Sequence, residues 1–409
     1  MQRCNELTQL TQLTHLLSHL SSEAARFWAS QDRANWGIVL ADTNLLRRET
    51  MRILIATATA GAGHLAAAAA LDEAWRASRP EDVVEKVDLV KFFSPLHRKI
   101  HGDGYLKIVE HAPEIWGMVF KKTDTVQLAR RLNRLKRVFP SNSRARFARF
   151  VKEFAPDAVL CTHYLPLETL AHLKRGRLRS LRHRKGARTR RGAAVSGMAE
   201  GDPHGPLVVS VVTDFEAHAL WMEDCVDLYC VAAEETKARL VARGAMAENI
   251  IATGIPISAK FSQKIDGRQV RRKLGLRDDL GVLLVLSGGF GMGPVAEIVT
   301  ELDKVEADFQ MLVVTGRNEE LRRELAAVDR RHPTHVLGFS TNMHELMAVS
   351  DLVISKPGGL TSSEALAIGK PLFILNPIPG QEAANSDFLL EHGLIILLLQ
   401  RFHINSFQF

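Results

Sequence analysis

The chain has 409 residues, 46% of them hydrophobic and 24% charged, with a formal charge of +7. A chain of that length exceeds what one hydrophobic core usually organises, so two domains are expected. Four cysteines without a C-x-x-C pair exclude a disulfide framework, the histidines hold no H-E-x-x-H cluster, and no apolar run approaches the ~18 residues that cross a bilayer; an integral membrane protein is excluded, no structural metal is expected, and a reducing cytoplasm fits.

Residues 1–50 carry helical patterning and stop just before Met51, where an apolar strand begins at once; they are expected to be an extension outside the folded unit. From Met51 onward, short β-branched runs alternate with amphipathic helical stretches, which predicts βαβ units and parallel sheets. The expected strands are Ile53 to Thr57, Val83 to Val90, Ala158 to Thr162, Leu207 to Thr213 and Leu228 to Ala232. A second series runs Val282 to Leu286, Met311 to Val314, His335 to Gly338, Leu352 to Ser355 and Leu372 to Leu375. Two series predict two doubly wound α/β domains, 51–262 and 263–409, divided after Gly254-Ile255-Pro256-Ile257.

The positive charge is local. Between Lys174 and Arg191 stand ten Lys/Arg and no acid, and setting those ten aside leaves the rest of the chain at −3. This insertion, about 174–206, reads first as a solvated loop, second as a contact for anionic lipid headgroups and last as a nucleic-acid contact, so no nucleic-acid partner is expected.

Three glycine loops each follow a strand and precede a helix, where bare backbone amides meet the positive end of a helix and suit an anion. The first, Thr57-Ala58-Thr59-Ala60-Gly61-Ala62-Gly63-His64, lacks the third glycine of a dinucleotide fingerprint. His64 at its end is either a packed or capping histidine or a general base, since imidazole titrates near neutrality. The second, Ser287-Gly288-Gly289-Phe290-Gly291-Met292-Gly293, is either a phosphate grip or a plain tight turn. In the third, Ser355-Lys356-Pro357-Gly358-Gly359-Leu360, the lysine adds charge at the helix start. Glu364, one turn inside that helix, would accept from the vicinal hydroxyls of a ribose or would merely favour the helix dipole. One strand later, Asn376-Pro377-Ile378-Pro379-Gly380-Gln381-Glu382 delivers an amide beside a carboxylate, which suits a hexose or serves as ordinary polar helix-start chemistry.

The run S-K-P-G-G-L-T-S-S-E-A-L-A-I-G-K-P (355–371), followed by N-P-I-P-G-Q-E-A-A-N (376–385), resembles the diacylglycerol glycosyltransferases. So do A-T-A-G-A-G-H (58–64) and V-V-T-D-F-E-A-H-A-L-W (211–221). That family includes monogalactosyldiacylglycerol synthase and processive glucosyl enzymes and is related to the peptidoglycan N-acetylglucosaminyltransferase. The resemblance spans about Met51 to Gly393. It implies the GT-B fold, two Rossmann-like domains facing a cleft, with the lipid acceptor in the first domain and the nucleotide sugar in the second. It further implies Ser287, Gly288, Gly289, Lys356, Gly358, Gly359 and Thr361 at the diphosphate, Glu364 at the ribose, Phe339 near the uracil, and Gln381 and Glu382 at the donor sugar. His64 would be the catalytic base, with Gly61, Gly63 and Asp214 on the acceptor side. The expected reaction is inverting transfer of a hexose from a UDP-sugar to diacylglycerol with no cofactor or bound metal. The alternatives are transfer to a polyprenyl lipid, or a catalytically inactive UDP-binding or lipid-surface protein.

A lipid acceptor demands contact with an anionic bilayer surface, which places the protein in the cytoplasm, peripheral to the inner face of the plasma membrane. Trp116, Met118 and Phe120 are the expected apolar anchors and Arg130, Arg131 and Arg134 the expected basic stripe; the competing reading is a core helix with its solvated face. Residues 394–409 depart from the family pattern and read as a truncated or replaced end of the second domain.

Overall fold

A computed structural model describes residues 50–95, 98, 112–124, 141–174, 205–375, 377–393 and 395–398, apart from 60, 290 and 292. The expected extension 1–50, most of the basic insertion, and Arg130, Arg131 and Arg134 lie outside the described residues.

Two six-stranded sheets form the molecule. The first contains β1 (Arg52–Thr57), β2 (Val83–Asp88), β3 (Ala158–Cys161), β4 (Leu207–Val211), β5 (Leu228–Val231) and β6 (Ile250–Ala252), in the order β2-β1-β3-β4-β5-β6. The second contains β7 (Gly281–Leu286), β8 (Phe309–Val314), β9 (Thr334–Leu337), β10 (Leu352–Ser355), β11 (Leu372–Leu375) and β12 (Ile395–Leu398), in the order β12-β11-β10-β7-β8-β9. Every ladder is parallel. Parallel strands are covered on both faces, which is why they read as unbroken apolar runs. Accordingly, Leu54, Val159 and Val208 pack on one face of the first sheet and Ile53, Leu160 and Val209 on the other.

Among the described residues ten α-helices accompany the strands: α1 (Ala62–Ser78), α2 (Pro113–Thr123), α3 (Ser141–Phe154), α4 (Glu234–Ala242), α5 (Gly267–Leu274), α6 (Val295–Leu302), α7 (Glu319–Ala326), α8 (Met343–Val349), α9 (Gly359–Ala367) and α10 (Gln381–Glu391). The arrangement is GT-B, two parallel-sheet α/β lobes face to face. In each sheet the strand order reverses once, between β1 and β3 and between β7 and β10. Such a reversal opens a crevice beyond the carboxyl ends of the strands, where ligands of open α/β sheets bind. The loops carrying His64, Ser287 and Lys356 leave those strand ends.

Within 394–409, expected to be a truncated or replaced end, Ile395–Leu398 forms β12, paired in register with Leu372–Leu375 of β11. Its apolar run extends the second sheet. The lobes share an apolar seam, because Ala67, Phe215, Ala233 and Ile255 of the first lobe belong to the same buried cluster as Leu284, Leu360 and Phe388 of the second. The rings of Phe215 and Phe388 stack across it, with centroids 4.8 Å apart.

Candidate active site

His64 is held by backbone and ring together. Its carbonyl accepts from the Thr57 hydroxyl at 3.2 Å and the Thr162 hydroxyl at 3.0 Å, tying the glycine loop to the ends of β1 and β3. Its ring Nδ1 lies 2.9 Å from the Thr162 carbonyl and 2.8 Å from the Thr213 hydroxyl. A carbonyl can only accept, so the neutral ring carries its proton on Nδ1 and keeps the lone pair on Nε2. Burial lowers the His64 pKa, opposed by the Asp214 charge and the Thr162 carbonyl. The imidazole is therefore neutral, and able to accept a proton, at pH 7. His163 stands edge-on to it, with ring centroids 4.7 Å apart, and Trp221 closes the same side at 6.4 Å.

Three helices start at the lobe junction without a side-chain cap: α1, whose first turn carries His64 itself, after Gly61, and from the other lobe α9 after Gly358 and α10 after Gly380. The first amides of a helix have no partner within it, so uncapped starts offer them to an anion. Two of the sequence's glycine loops meet here, since a Cβ on Gly293 would lie 3.0 Å from Lys356 Cε. Gly288, at φ +75°, and Gly358 both face open space, and Gly63 packs on Leu360. Gly289 abuts Ala62 across the junction, and Gly359 abuts the Thr213 carbonyl. Thr361 is half-buried in the first turn of α9.

Glu364 is half-buried on α9, and burial pushes its carboxyl up to about 8. Phe339 is 58% exposed, with the Arg317 guanidinium 5.4 Å from its ring centroid. Glu382 accepts the Ile378 amide at 2.9 Å through Oε2, and burial raises its pKa against the opposing charge of Lys356. Gln381 donates from Nε2 to Asp214 of the first lobe, and Asn385 donates from Nδ2 to the same carboxylate at 3.1 Å.

Several placements differ from expectation. Ser287 does not present its polar groups to the cleft: its hydroxyl, at 2.9 Å, and its amide, at 3.1 Å, both donate to the Val314 carbonyl, because the residue prolongs the β7–β8 ladder. Asp214 is buried in the seam between the lobes, where two amides of α10 converge on it. Phe120 is half-buried against His218, centroids 4.3 Å apart, and against Gly380, which removes it from the expected apolar anchors. The side chain of Trp116 lies outside the described residues. On the same helix Ile115, Met118 and Val119 are 55%, 57% and 48% exposed, and the last turn of α2 carries Lys121 and Lys122. Among the described residues no three His, Cys, Asp or Glu side chains converge as a metal site, and no helix is long and apolar enough to cross a membrane.

Thr162, Thr213 and Asn385 were missed as site residues. The last two lie inside the quoted motifs, but their partners are 149 and 170 residues away in sequence, beyond the reach of local spacing.

Residues 64–181 and 200–257 match the monogalactosyldiacylglycerol (MGDG) synthase family, and residues 282–401 match the glycosyltransferase family 28 C-terminal domain. The chain belongs to the diacylglycerol glycosyltransferase family. It is 26% identical over 349 residues to the processive diacylglycerol beta-glucosyltransferase of Bacillus pumilus (strain SAFR-032), covering 85% of this chain and 83% of that one. With the protein of the same description from Bacillus cereus (strain 03BB102) it shares 29% over 350 residues, 85% of this chain and 82% of the relative. Among solved structures, Acinetobacter baumannii MurG aligns with a TM-score of 0.46 at 16% identity, covering 85% of this chain and 86% of that one. This diacylglycerol glycosyltransferase thus carries the family's first-lobe match up to the end of the first sheet and the family 28 match on the second.

Proposed function

We propose that this enzyme transfers a hexose, with inversion, from a UDP-sugar to the free hydroxyl of diacylglycerol at a membrane surface, yielding a β-glycosyl diacylglycerol. The observation that carries this reading is His64: a neutral imidazole whose Nδ1 is tied to the Thr162 carbonyl, set across the lobe junction from uncapped helix starts. Nε2 takes the proton from the acceptor hydroxyl as its oxygen attacks the anomeric carbon. The bond from that carbon to the UDP oxygen breaks on the opposite face, and its electron pair leaves with the diphosphate. Glycine-loop amides, the start of α9 and the Lys356 ammonium would stabilise that charge, so no resident metal is required. Glu364 would receive the ribose hydroxyls, Phe339 would lie near the uracil, and Gln381 and Glu382 would meet the hexose.

The acceptor dissolves in bilayers, which requires a docking face. Ile115, Met118 and Val119 project from α2 at i, i+3 and i+4 spacing, one side of a helix, with Lys121 and Lys122 beside them. An apolar stripe next to cations suits an anionic bilayer surface. We therefore place the enzyme in the cytoplasm, peripheral to the inner face of the plasma membrane. Incubating radiolabelled UDP-glucose, and separately UDP-galactose, with the protein and diacylglycerol vesicles tests the assignment. Labelled glycolipid is expected from at least one donor; UDP binding without any lipid product would overturn the catalytic reading in favour of a nucleotide-binding lipid-surface protein.

A further inference from the structure

A carboxylate of the first lobe is bonded to the helix of the second lobe that carries Gln381 and Glu382. Asp214, just past β4, is 5% exposed and accepts from Gln381 Nε2 and, at 3.1 Å, from Asn385 Nδ2. An ionised carboxylate offers only lone pairs, so it decides which end of the Gln381 amide it meets: the NH2 group faces Asp214, and the carbonyl Oε1 is left for the cleft. Asn385 cannot turn away. Its Oδ1 takes the Phe215 amide at 2.9 Å while its Nδ2 also reaches the Pro357 carbonyl at 3.1 Å. Beside Gln381, Glu382 commits Oε2 to the Ile378 amide at 2.9 Å, which leaves its other oxygen.

We propose that Asp214 is a positioning residue of the donor-sugar subsite: it turns the Gln381 amide so that the carbonyl oxygen, next to the remaining oxygen of Glu382, accepts hydrogen bonds from hydroxyls of the donor hexose. This inference rests on the UDP-sugar reading above and deepens it. Two acceptor oxygens side by side select a ligand that donates, which a sugar does through its hydroxyls. Because Asp214 belongs to the first lobe and Gln381 to the second, the subsite is complete only when the lobes are closed. The nucleotide does not use it, since the diphosphate and ribose contacts proposed above lie on α9 and the glycine loops.

Calorimetric titration of the full chain with UDP and with UDP-glucose separates this role from a merely structural one. Asp214→Asn keeps the shape but can present either oxygen or NH2 to Gln381, so the orientation is lost. The expected result is an unchanged UDP dissociation constant and an about ten-fold loss in the affinity for UDP-glucose relative to UDP. Gln381→Ala should lose the same factor, and the double variant should lose no more than either single one, because both remove one interaction. Equal weakening of UDP and UDP-glucose by D214N, or losses that multiply in the double variant, would overturn the proposal. Should D214N not fold, Gln381→Met carries the test: a side chain of similar length there neither donates to Asp214 nor offers an oxygen to a sugar hydroxyl, and a retained preference for UDP-glucose overturns the proposal. A wild-type protein that binds neither nucleotide sinks the UDP-sugar reading itself, a result distinct from loss confined to the sugar.

Discussion

The adjacent glycines Gly358 and Gly359 stand in the loop for different reasons, and a methyl group placed on each separates them. At Gly359 an added Cβ would lie 2.1 Å from the Thr213 carbonyl oxygen and 3.1 Å from Ile255 Cδ1. A relaxed carbon–oxygen contact is about 3.3 Å, so Gly359→Ala must push α9 and the β4 end apart by about 1 Å. The nearer partner is backbone and not the tip of a flexible side chain, and overpacking of this kind costs about 1–3 kcal/mol. Spread over one lobe of ordinary size, that is a fall of roughly 2–12 °C in melting temperature. At Gly358 an added Cβ meets nothing within 4 Å, and the backbone, at φ −69° and ψ 137°, suits alanine. Gly358→Ala should therefore melt no lower than wild type, and about 0.4–1 kcal/mol of stabilisation is available from the stiffer unfolded chain. The same methyl would, however, occupy space at the uncapped start of α9 that the diphosphate is proposed to fill. Scanning calorimetry and UDP titration of both variants make the check. An unshifted melting temperature for G359A refutes the packing argument, and undiminished UDP binding by G358A removes the diphosphate from that helix start.

Other outcomes follow from the site. His64→Ala should abolish most turnover with UDP affinity near wild type, and the acid limb of the wild-type rate should lie below the ordinary histidine value of about 6.5, since burial lowers the His64 pKa; a pH–rate profile and UDP calorimetry check both. Glu364, pushed up to about 8, is protonated in the folded chain and ionised in the unfolded chain between its ordinary value and 8. Stability should therefore fall as pH rises across that window, and Glu364→Gln should flatten the slope in denaturant unfolding at pH 6 and pH 8. Sugar transfer should survive EDTA; its loss would mean that a cation, and not amides and Lys356, carries the diphosphate charge. Replacing Ile115, Met118 and Val119 together by aspartate should cut co-sedimentation with anionic vesicles while leaving UDP binding intact, and unchanged sedimentation would move the docking face elsewhere.

Ten of the strands were legible, most of them because strands buried on both faces read as nearly continuous apolar runs, as Leu352–Ser355 and Leu372–Leu375 do, whereas the edge strand β2 carries exposed Glu85 and Lys86. β6 was missed because three residues, Ile250–Ala252, make too short a run to stand out. β12 was visible as an apolar run but was read as a replaced tail, since only its register with β11 makes it a strand. The glycine loops and His64 were legible because a helix start that must leave its amides open has no use for a capping side chain. What the sequence hid were the partners. Nothing near Gln381 announces a carboxylate 167 residues earlier, and nothing near Phe120 announces that it packs on a glycine of the other lobe. Such contacts depend on how the lobes face each other, which no local periodicity encodes.

The interlock between α2 and the 379–380 turn has a mechanical side. A Cβ on Gly117 would strike Pro379 at 2.6 Å, and one on Gly380 would strike the Phe120 ring at 2.9 Å, so each strand of this hinge lacks a side chain where the other protrudes. Teeth meshed that closely have no play. Were the proposed docking through Met118 and Val119 to tilt this helix, the tilt would pass to the turn that leads into Gln381, and landing on lipid and shaping the proposed hexose pocket would become movements of a single lever.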